Sequence, residues 1–381
     1  MEAKNSGFGA DLEHQIDSLI VHLSQGLGKV ATGFVRDALI GMELAHSPRL
    51  SDIARALEES IGRRATHKRL SRNAARSELA PILSDNLLRL AASHVHDDTL
   101  LCLDWPVLLK KRADKMENLT LISNAKGDSI GKGYHLAEVA AAEIDTDHLM
   151  PLAQSIWPEI SAEADFLRHT LELVARVRKA AGDKGIIVAD RSADHMGLLE
   201  PWTADTASRY IVRLRLHTEL IYQRRVYTVA ELVATCDTRY GKHVLNINGS
   251  HSGALEFIDF GYKHVRLPAA PDRLLSLVVV RGLKPVPVPV ALLTTEPVRD
   301  NRSVLTNLIA AYYMRWRVVA TKLRFQERYR LSDIRVLSYE RIRNLTTLLH
   351  VLEYIHTLDS GTGDSAVFED SHLIDRGVRG L

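Results

Sequence analysis

Apolar residues recur at three- and four-residue steps along the first quarter of the chain, a spacing that predicts helices. Residues 1–95 carry it in LIVHLSQGLGKVATGFVRDALIGMEL and again in SELAPILSDNLLRLAASHV. Between these segments, Ser51 is a suitable N-cap for a short helix, and Gly62 interrupts the pattern before a second helix begins near Thr66. We therefore expect a helical N-terminal region with two short helices at its centre.

The pattern changes near residue 99 to short apolar runs, which predict strands. These runs are TLLCLDWPVLL, LTLISNAK and GYHLAEVAAAE, and GIIVAD follows them as a buried strand. SAEADFLRHTLELVARVRKAA, which lies between, predicts an amphipathic helix that ends at Gly182 and Gly185. Residues 205 to about 295 return to strands separated by polar turns such as GSHSG, and Val304 to Arg328 predicts a long helix.

This alternation predicts an α/β fold, and 381 residues suffice for two or three domains. The expected divisions are residues 1–95 as a helical domain, 96–204 as the first part of an α/β core, 205–290 as a β-rich insertion, 291–357 as the last strand and helices of the core, and 358–381 as a mobile tail.

Composition excludes several classes of protein. Hydrophobic residues make up 46% of the chain and charged residues 25%, as in ordinary globular proteins. Two distant cysteines, Cys102 and Cys236, form neither a disulfide framework nor a zinc cluster, which favours a reducing cytosol. The N-terminus lacks the layout of a signal peptide, and no apolar run approaches the length of a membrane span.

Positive charge is local, because the net charge is only +2. Six Lys and Arg residues and no acid lie between Arg63 and Arg76. A short helix, a turn and a basic helix are typical of a helix-turn-helix, whose second helix enters the major groove of DNA. The alternatives are a solvated helix face and a plain helical bundle. The candidate DNA contacts on this helix are Arg63, Arg64, Lys68, Arg69 and Arg72.

Two acids lie on apolar strands, where an unpaired charge is unfavourable. Asp104 stands in the middle of one run, and Asp190 ends another, 86 residues later. Carboxylates that converge at one edge of a sheet can hold Mg²⁺, which prefers oxygen ligands and shares them with phosphates. Alternatively, each acid pairs with an arginine.

Three segments together resemble the DDE transposases of bacterial insertion sequences that carry the YREK signature. LLCLDWPVLLKKRADKMENL is similar to the first acidic strand of that family, and GIIVADRSADHMGLL, with Asp190, Arg191 and Asp194, to the second. LLTT, AAYYMRWRVV and LSDIRVLSYERIRNL resemble its last strand, its YREK helix and the helix that follows. The similarity extends from about residue 30 to 357.

The resemblance implies a ribonuclease-H-like core with a β-rich insertion and an N-terminal helical DNA-binding domain. It implies cutting and joining of DNA at a two-metal site with Mg²⁺ or Mn²⁺, where Asp104 and Asp190 are the first two ligands. It also implies that Arg191, Tyr312 and Arg315 contact DNA. The expected partner is double-stranded DNA at transposon ends, a homodimer on DNA is left open, and the expected location is the bacterial cytosol.

The sequence departs from the family at three positions of the implied site. Val319 stands where the family has its third acid, Gln326 where it has Lys, and Pro106 where it usually has Thr or Ser. The nearest acid along the same helix is Glu327, about 12 Å further on and about 80° round the axis, which is too far to replace the missing ligand.

Val319 also fits a purely structural interpretation. A core-facing helix stripe is predicted at Ile309, Tyr312, Trp316, Val319 and Leu323. Two hypotheses follow from the sequence. The first is a transposase-family protein that binds DNA but is impaired in catalysis; the second is an active DDE transposase that takes its third ligand from elsewhere.

Overall fold

A computed structural model gives the fold of the chain. It describes residues 2–110, 113, 115–123, 129–144, 146, 149–158, 162–245, 255–282, 289–298 and 300–360. The helices are α1 (Glu2–Leu23), α2 (Lys29–Ala45), α3 (Leu50–Ala56), α4 (Arg63–Asn73), α5 (Leu79–Ala92), α6 (Ala162–Ala180), α7 (Met196–Ala204), α8 (Val229–Ala234), α9 (Arg302–Arg328) and α10 (Tyr339–Ser360).

The strands form one large mixed sheet. They are β1 (Leu100–Asp104), β2 (Val107–Leu109), β3 (Thr120–Ser123), β4 (Ser129–Ala142), β5 (Leu149–Trp157), β6 (Ile186–Ala189), β7 (Tyr210–Arg213), β8 (Glu219–Tyr222), β9 (Arg225–Thr228), β10 (Tyr240–Leu245), β11 (Leu255–Leu267), β12 (Ala270–Arg281) and β13 (Val290–Thr294). Helices together with a mixed sheet confirm the coarse prediction of a mixed α/β protein.

The centre of the sheet has the order β5-β4-β1-β6-β7. The strands β1, β6 and β7 are parallel, and β4 is antiparallel to β1 and to β5. Helix α6 provides the crossover from β5 to β6 and ends before Gly182, whose φ of +65° favours glycine. Because β1 and β6 are parallel neighbours, the residues at their carboxyl ends lie at the same edge of the sheet.

Helix α9 packs on one face of this central sheet. Its buried side chains include Leu308, Ile309 and Tyr312, which share a core with Cys102, Val188 and other residues of that face. The opposite face contributes to a larger core that also contains residues of α1, α2, α5 and α10. The N-terminal helices therefore pack against the rest of the protein through apolar side chains as well as preceding it in sequence.

Two predicted segments can be located in the structure, while the division of the chain into domains stays a prediction. The strands assigned to a β-rich insertion continue the central sheet, since β7 pairs with β6 and the strands β13, β12 and β11 follow it in order. The predicted tail begins at residue 358, but α10 includes residues 358–360. Residues 361–381 and the predicted turn GSHSG lie outside the described residues.

Candidate functional site

The two acids singled out by the sequence lie side by side. Asp104 is the last residue of β1, and Asp190 directly follows β6. In the parallel pairing of these strands Leu103 stands opposite Ala189, so the next residue on each strand is one of the two acids. The Asp190 carboxylate Oδ1 accepts a hydrogen bond from the backbone N–H of Ser192 at 2.8 Å, which fixes the turn after β6.

A third carboxylate comes from the strand on the other side of β1. Glu138 on β4 is the antiparallel partner of Asp104. Residues opposite each other in such a pair project from the same face of the sheet, with Cβ atoms about 5 Å apart. Glu138 is buried, with 4% of its surface exposed. The strands β4, β1 and β6 thus bring three acids to one region of the sheet.

Helix α9 turns two buried cations towards these acids. Arg315 Nη1 lies 3.6 Å from Asp104 Oδ1, and Lys322 Nζ donates a hydrogen bond to Glu138 Oε2 at 3.0 Å. Both cations are 7% exposed. They are seven residues apart, which is two helical turns, so they share one face of α9. This face is therefore charged where it meets the strand ends.

The ionic contacts continue from α9 to α10. Lys322 Nζ also lies 3.6 Å from Glu353 Oε2, and His350 Nδ1 lies 3.5 Å from the same oxygen. Burial alone would lower the pKa of Lys322, but the charges of Glu138 and Glu353 raise it. Burial would likewise raise the pKa of Glu353, but Lys322 and His350 lower it. Lys322 is therefore held as a cation between two carboxylates.

Asp104 is the acid whose ionisation the surroundings oppose. Burial is the main cause that raises its pKa to about 6. The positive charge of Arg315 acts against this shift, and the negative charges of Asp190 and Glu138 add to it. The carboxyl group therefore changes its protonation state much nearer to neutral pH than an exposed aspartate does.

The arrangement does not suit a divalent metal ion. Within the described part of the chain, no three His, Cys, Asp or Glu side chains are grouped so that they could hold one. Asp104 is paired with Arg315, and Glu138 is paired with Lys322. Two of the three carboxylates thus already have a protein cation in the place where a metal would supply the positive charge.

The basic cluster lies on α4, and its members differ in their surroundings. Thr66, Leu70 and Asn73 face the protein interior. Arg63, Arg64, Lys68 and Arg72 are exposed, and none of the four has an ion-pair partner among the described residues. Arg69 is different, because it forms ion pairs with Asp37 on α2 and with Glu59 in the loop before α4. Arg69 therefore fixes α4 in place and is not available to an external partner.

The other predicted DNA contacts are divided between surface and interior. Arg191 is exposed in the turn after Asp190. Tyr312 is 1% exposed and Arg315 7%, so neither presents a surface to DNA in this structure. Asp194, which also matches the family pattern, is buried and accepts hydrogen bonds from Thr218 Oγ1 and the backbone N–H of Arg215.

Sequence reasoning missed Glu138 and Lys322. The signal for Glu138 was present, because it is an acid inside the apolar run GYHLAEVAAAE, just as Asp104 is inside its own run. Lys322 gave no such signal, since its position on α9 is meaningful only once its partner is known. Glu327 is the nearest acid along α9 in the sequence, whereas the carboxylate that lies beside Asp104 belongs to a strand.

Comparison with protein-family models and with curated proteins gives no match. Among solved structures, the chain is similar to the cryo-EM structure of the piggyBac transposase synaptic complex with hairpin DNA, at 13% sequence identity. The match covers 92% of this chain and 71% of that chain, with a TM-score of 0.47. These values are too low to bear on the activity of this chain. Separately, none of the described helices is long and apolar enough to cross a membrane.

Proposed function

We propose that this chain is a transposase-type protein that binds DNA and whose ability to cut and join DNA is weak or lost. Its core would be ribonuclease-H-like, formed by the strands β5-β4-β1-β6-β7 and the helices that cover them. Support comes from the sequence motifs that resemble the DDE family and from the pair of acids at the carboxyl ends of β1 and β6.

The proposal of DNA binding rests on the exposed basic residues of α4. Arg64, Lys68 and Arg72 are four residues apart, so they form one ridge about 12 Å long on the exposed side of the helix. The major groove of B-DNA is about 12 Å wide and admits an α-helix. An exposed helix that presents several cations and no acid suits the phosphates on either side of such a groove.

The face of α9 that meets the acids supports the proposal of impaired catalysis. Val319 gives no carboxylate, and Arg315 and Lys322 lie on either side of it along the helix. A two-metal centre holds two divalent cations with several anionic ligands. Here the helix supplies positive charge instead of the negative ligand that the family places at this position.

An active DDE transposase remains the second candidate, because Glu138 offers a third carboxylate beside Asp104. In that case Glu138 would replace the acid missing at Val319. The hydrogen bond from Lys322 to Glu138 argues against it, since a metal would have to compete with a buried ammonium group. A transposase-type protein with impaired catalysis is therefore the first candidate.

DNA binding is tested by neutralising the ridge in the full chain. Each phosphate contact contributes about 0.9 to the slope of log K against log salt concentration, so replacing Arg64, Lys68 and Arg72 with Gln should flatten that slope by about 2–3. The probe is duplex DNA that carries the ends of the mobile DNA element in which the gene for this chain would lie. The measurement is fluorescence anisotropy over a series of salt concentrations.

The matched control removes the same charge elsewhere. Lys179, Lys184 and Arg225 are exposed and distant from α4 in sequence, and their replacement with Gln should leave the slope unchanged. Equal slopes for wild type and the ridge variant would mean that α4 has an ordinary solvated face, and the DNA-binding proposal would then fail.

A further inference from the structure

We infer that the acid site binds no divalent metal ion in the native protein, because Arg315 and Lys322 supply the positive charge that a metal would otherwise provide. Removing the two cations should allow the same acids to move together on a metal ion and form a site. The inference rests on the proposed function in one respect, which is that a transposase-type protein is expected to hold metal ions at Asp104 and Asp190. Its test measures metal binding and does not depend on DNA binding.

The acids come from three neighbouring strands, although with the two cations in place these described residues are not grouped so that they could hold a metal ion. Asp104 and Glu138 project from the same face, as antiparallel partners do. Asp190 ends the strand on the other side of β1. The negative charges of Asp190 and Glu138 both add to the raised pKa of Asp104, in agreement with the positions of the three acids on neighbouring strands.

The cations compensate this cluster from within the protein. The three carboxylates carry a charge of −3 when ionised. Arg315 and Lys322 contribute +2, and Lys322 shares its charge with Glu353 as well. A metal that took Asp104 or Glu138 as a ligand would displace one of them. That cation would then stay buried beside a divalent ion of the same charge sign, which is unfavourable because like charges repel each other. Metal binding therefore has to overcome an existing set of ion pairs.

The cations are also fixed in position. Helix α9 buries two apolar side chains against the sheet: Tyr312, which precedes both cations, and Val318, which lies between them. Lys322 is tied to α10 by Glu353 as well as to β4 by Glu138. Arg315 and Lys322 thus occupy the site as permanent parts of the packed helix, with little freedom to leave it when metal is added.

The experiment is a titration of the full chain with Mn²⁺, in which electron paramagnetic resonance measures the free ion. Wild type should leave Mn²⁺ free up to about 1 mM, the weak end of protein sites for divalent ions. The double variant Arg315→Met with Lys322→Met should bind Mn²⁺ at least about tenfold more tightly. Adding Asp104→Asn to that variant should abolish the binding.

Two controls make each result decisive. Arg324→Met removes an exposed cation from the same helix and should not create a site. Arg315→Met alone frees Asp104 while Lys322 keeps its partners, so it should also gain binding if the double variant does not fold. Thermal unfolding of each variant shows whether it is folded.

The inference is wrong if wild type binds Mn²⁺ and Asp104→Asn removes that binding. It is also wrong if the folded double variant binds no more Mn²⁺ than wild type. Either result would leave the DNA-binding proposal intact, because that proposal depends on the salt slope of the α4 variants. If neither cation variant folds, wild-type Mn²⁺ binding that a folded Asp104→Asn variant loses would still overturn the inference.

Discussion

The carboxyl group of Asp104 lies in a largely buried environment, where its negative charge is unfavourable. Its pKa of about 6, caused chiefly by burial, lies above the value near 4 of an unfolded aspartate. An acid with a raised pKa stabilises the fold fully below its unfolded pKa, and that contribution disappears as the pH rises through the folded pKa. The window for this residue is therefore about pH 4 to 6.

Asp104→Asn should make the protein more stable at about pH 7.5, because asparagine resembles the protonated acid and carries no buried charge. The advantage should shrink by about 1–2 kcal/mol on going down to about pH 4, where wild-type Asp104 is protonated as well. Thermal unfolding of both proteins at the two pH values measures this difference. Asp272→Asn, at an exposed position, is the control.

A variant that is less stable than wild type at the higher pH would contradict this account of Asp104. It would mean that the ion pair with Arg315 stabilises the ionised carboxylate more than burial destabilises it. An advantage that does not change with pH would also contradict it, because the effect would then not arise from ionisation.

Among the elements, α9 differs most from its sequence-based description. The predicted core stripe included Trp316, Val319 and Leu323, but the first two are half-buried and Leu323 is 53% exposed. The face that packs on the sheet passes instead through Tyr312, Arg315, Val318 and Lys322. A sequence-based stripe avoids burying Arg and Lys, because burial of an unpaired charge is unfavourable.

The partners that allow this burial are distant in sequence. Glu138 precedes Lys322 by 184 residues, so no local pattern on α9 could reveal it. The placement of Asp104 and Asp190 was easier to predict, since each acid stands on its own apolar strand and parallel strands bring such ends together. Local patterns thus identified the strands and their acids, whereas the ion pairs across the fold required the structure.

Lys110 makes a second long-range polar contact between elements. It follows β2, is 4% exposed, and donates hydrogen bonds to the backbone oxygens of Ser332 at 3.0 Å and Ile334 at 3.2 Å. A third, longer contact reaches the oxygen of Leu331 at 3.4 Å. Lys110 thereby fastens the 3₁₀ turn that follows α9 to the strand region that follows Asp104.

Lys110→Met should lower the free energy of unfolding by about 1–3 kcal/mol, because it keeps the apolar stem but leaves buried carbonyl groups without a donor. Urea denaturation is the measurement. Lys115→Met, at an exposed position, should change stability little. Equal stability of wild type and Lys110→Met would show that water satisfies these carbonyls and that the lysine does not fasten the turn.

In the whole molecule, α10 contacts both the basic helix region and the acid site. Asn344 donates hydrogen bonds to the backbone oxygens of Ala74 and Arg76, just after α4. Nine residues further along α10, Glu353 lies beside Lys322. Helix α10 therefore contacts both the region proposed to bind DNA and the side chains around the acids whose catalytic activity is proposed to be weak or lost.

The central claim is that the chain binds DNA but does not cut it, and strand cleavage tests this most directly. The substrate is labelled duplex DNA that carries the ends of the surrounding element with their flanking sequence, incubated with the full chain and Mg²⁺ or Mn²⁺. Wild type should give no nicks or hairpins above background, and Val319→Glu alone should not restore them. The new carboxylate would lie one turn from both Arg315 and Lys322 and would pair with them. Cleavage by the wild-type protein that Asp104→Asn abolishes would contradict the account and would identify an active enzyme with its third ligand elsewhere.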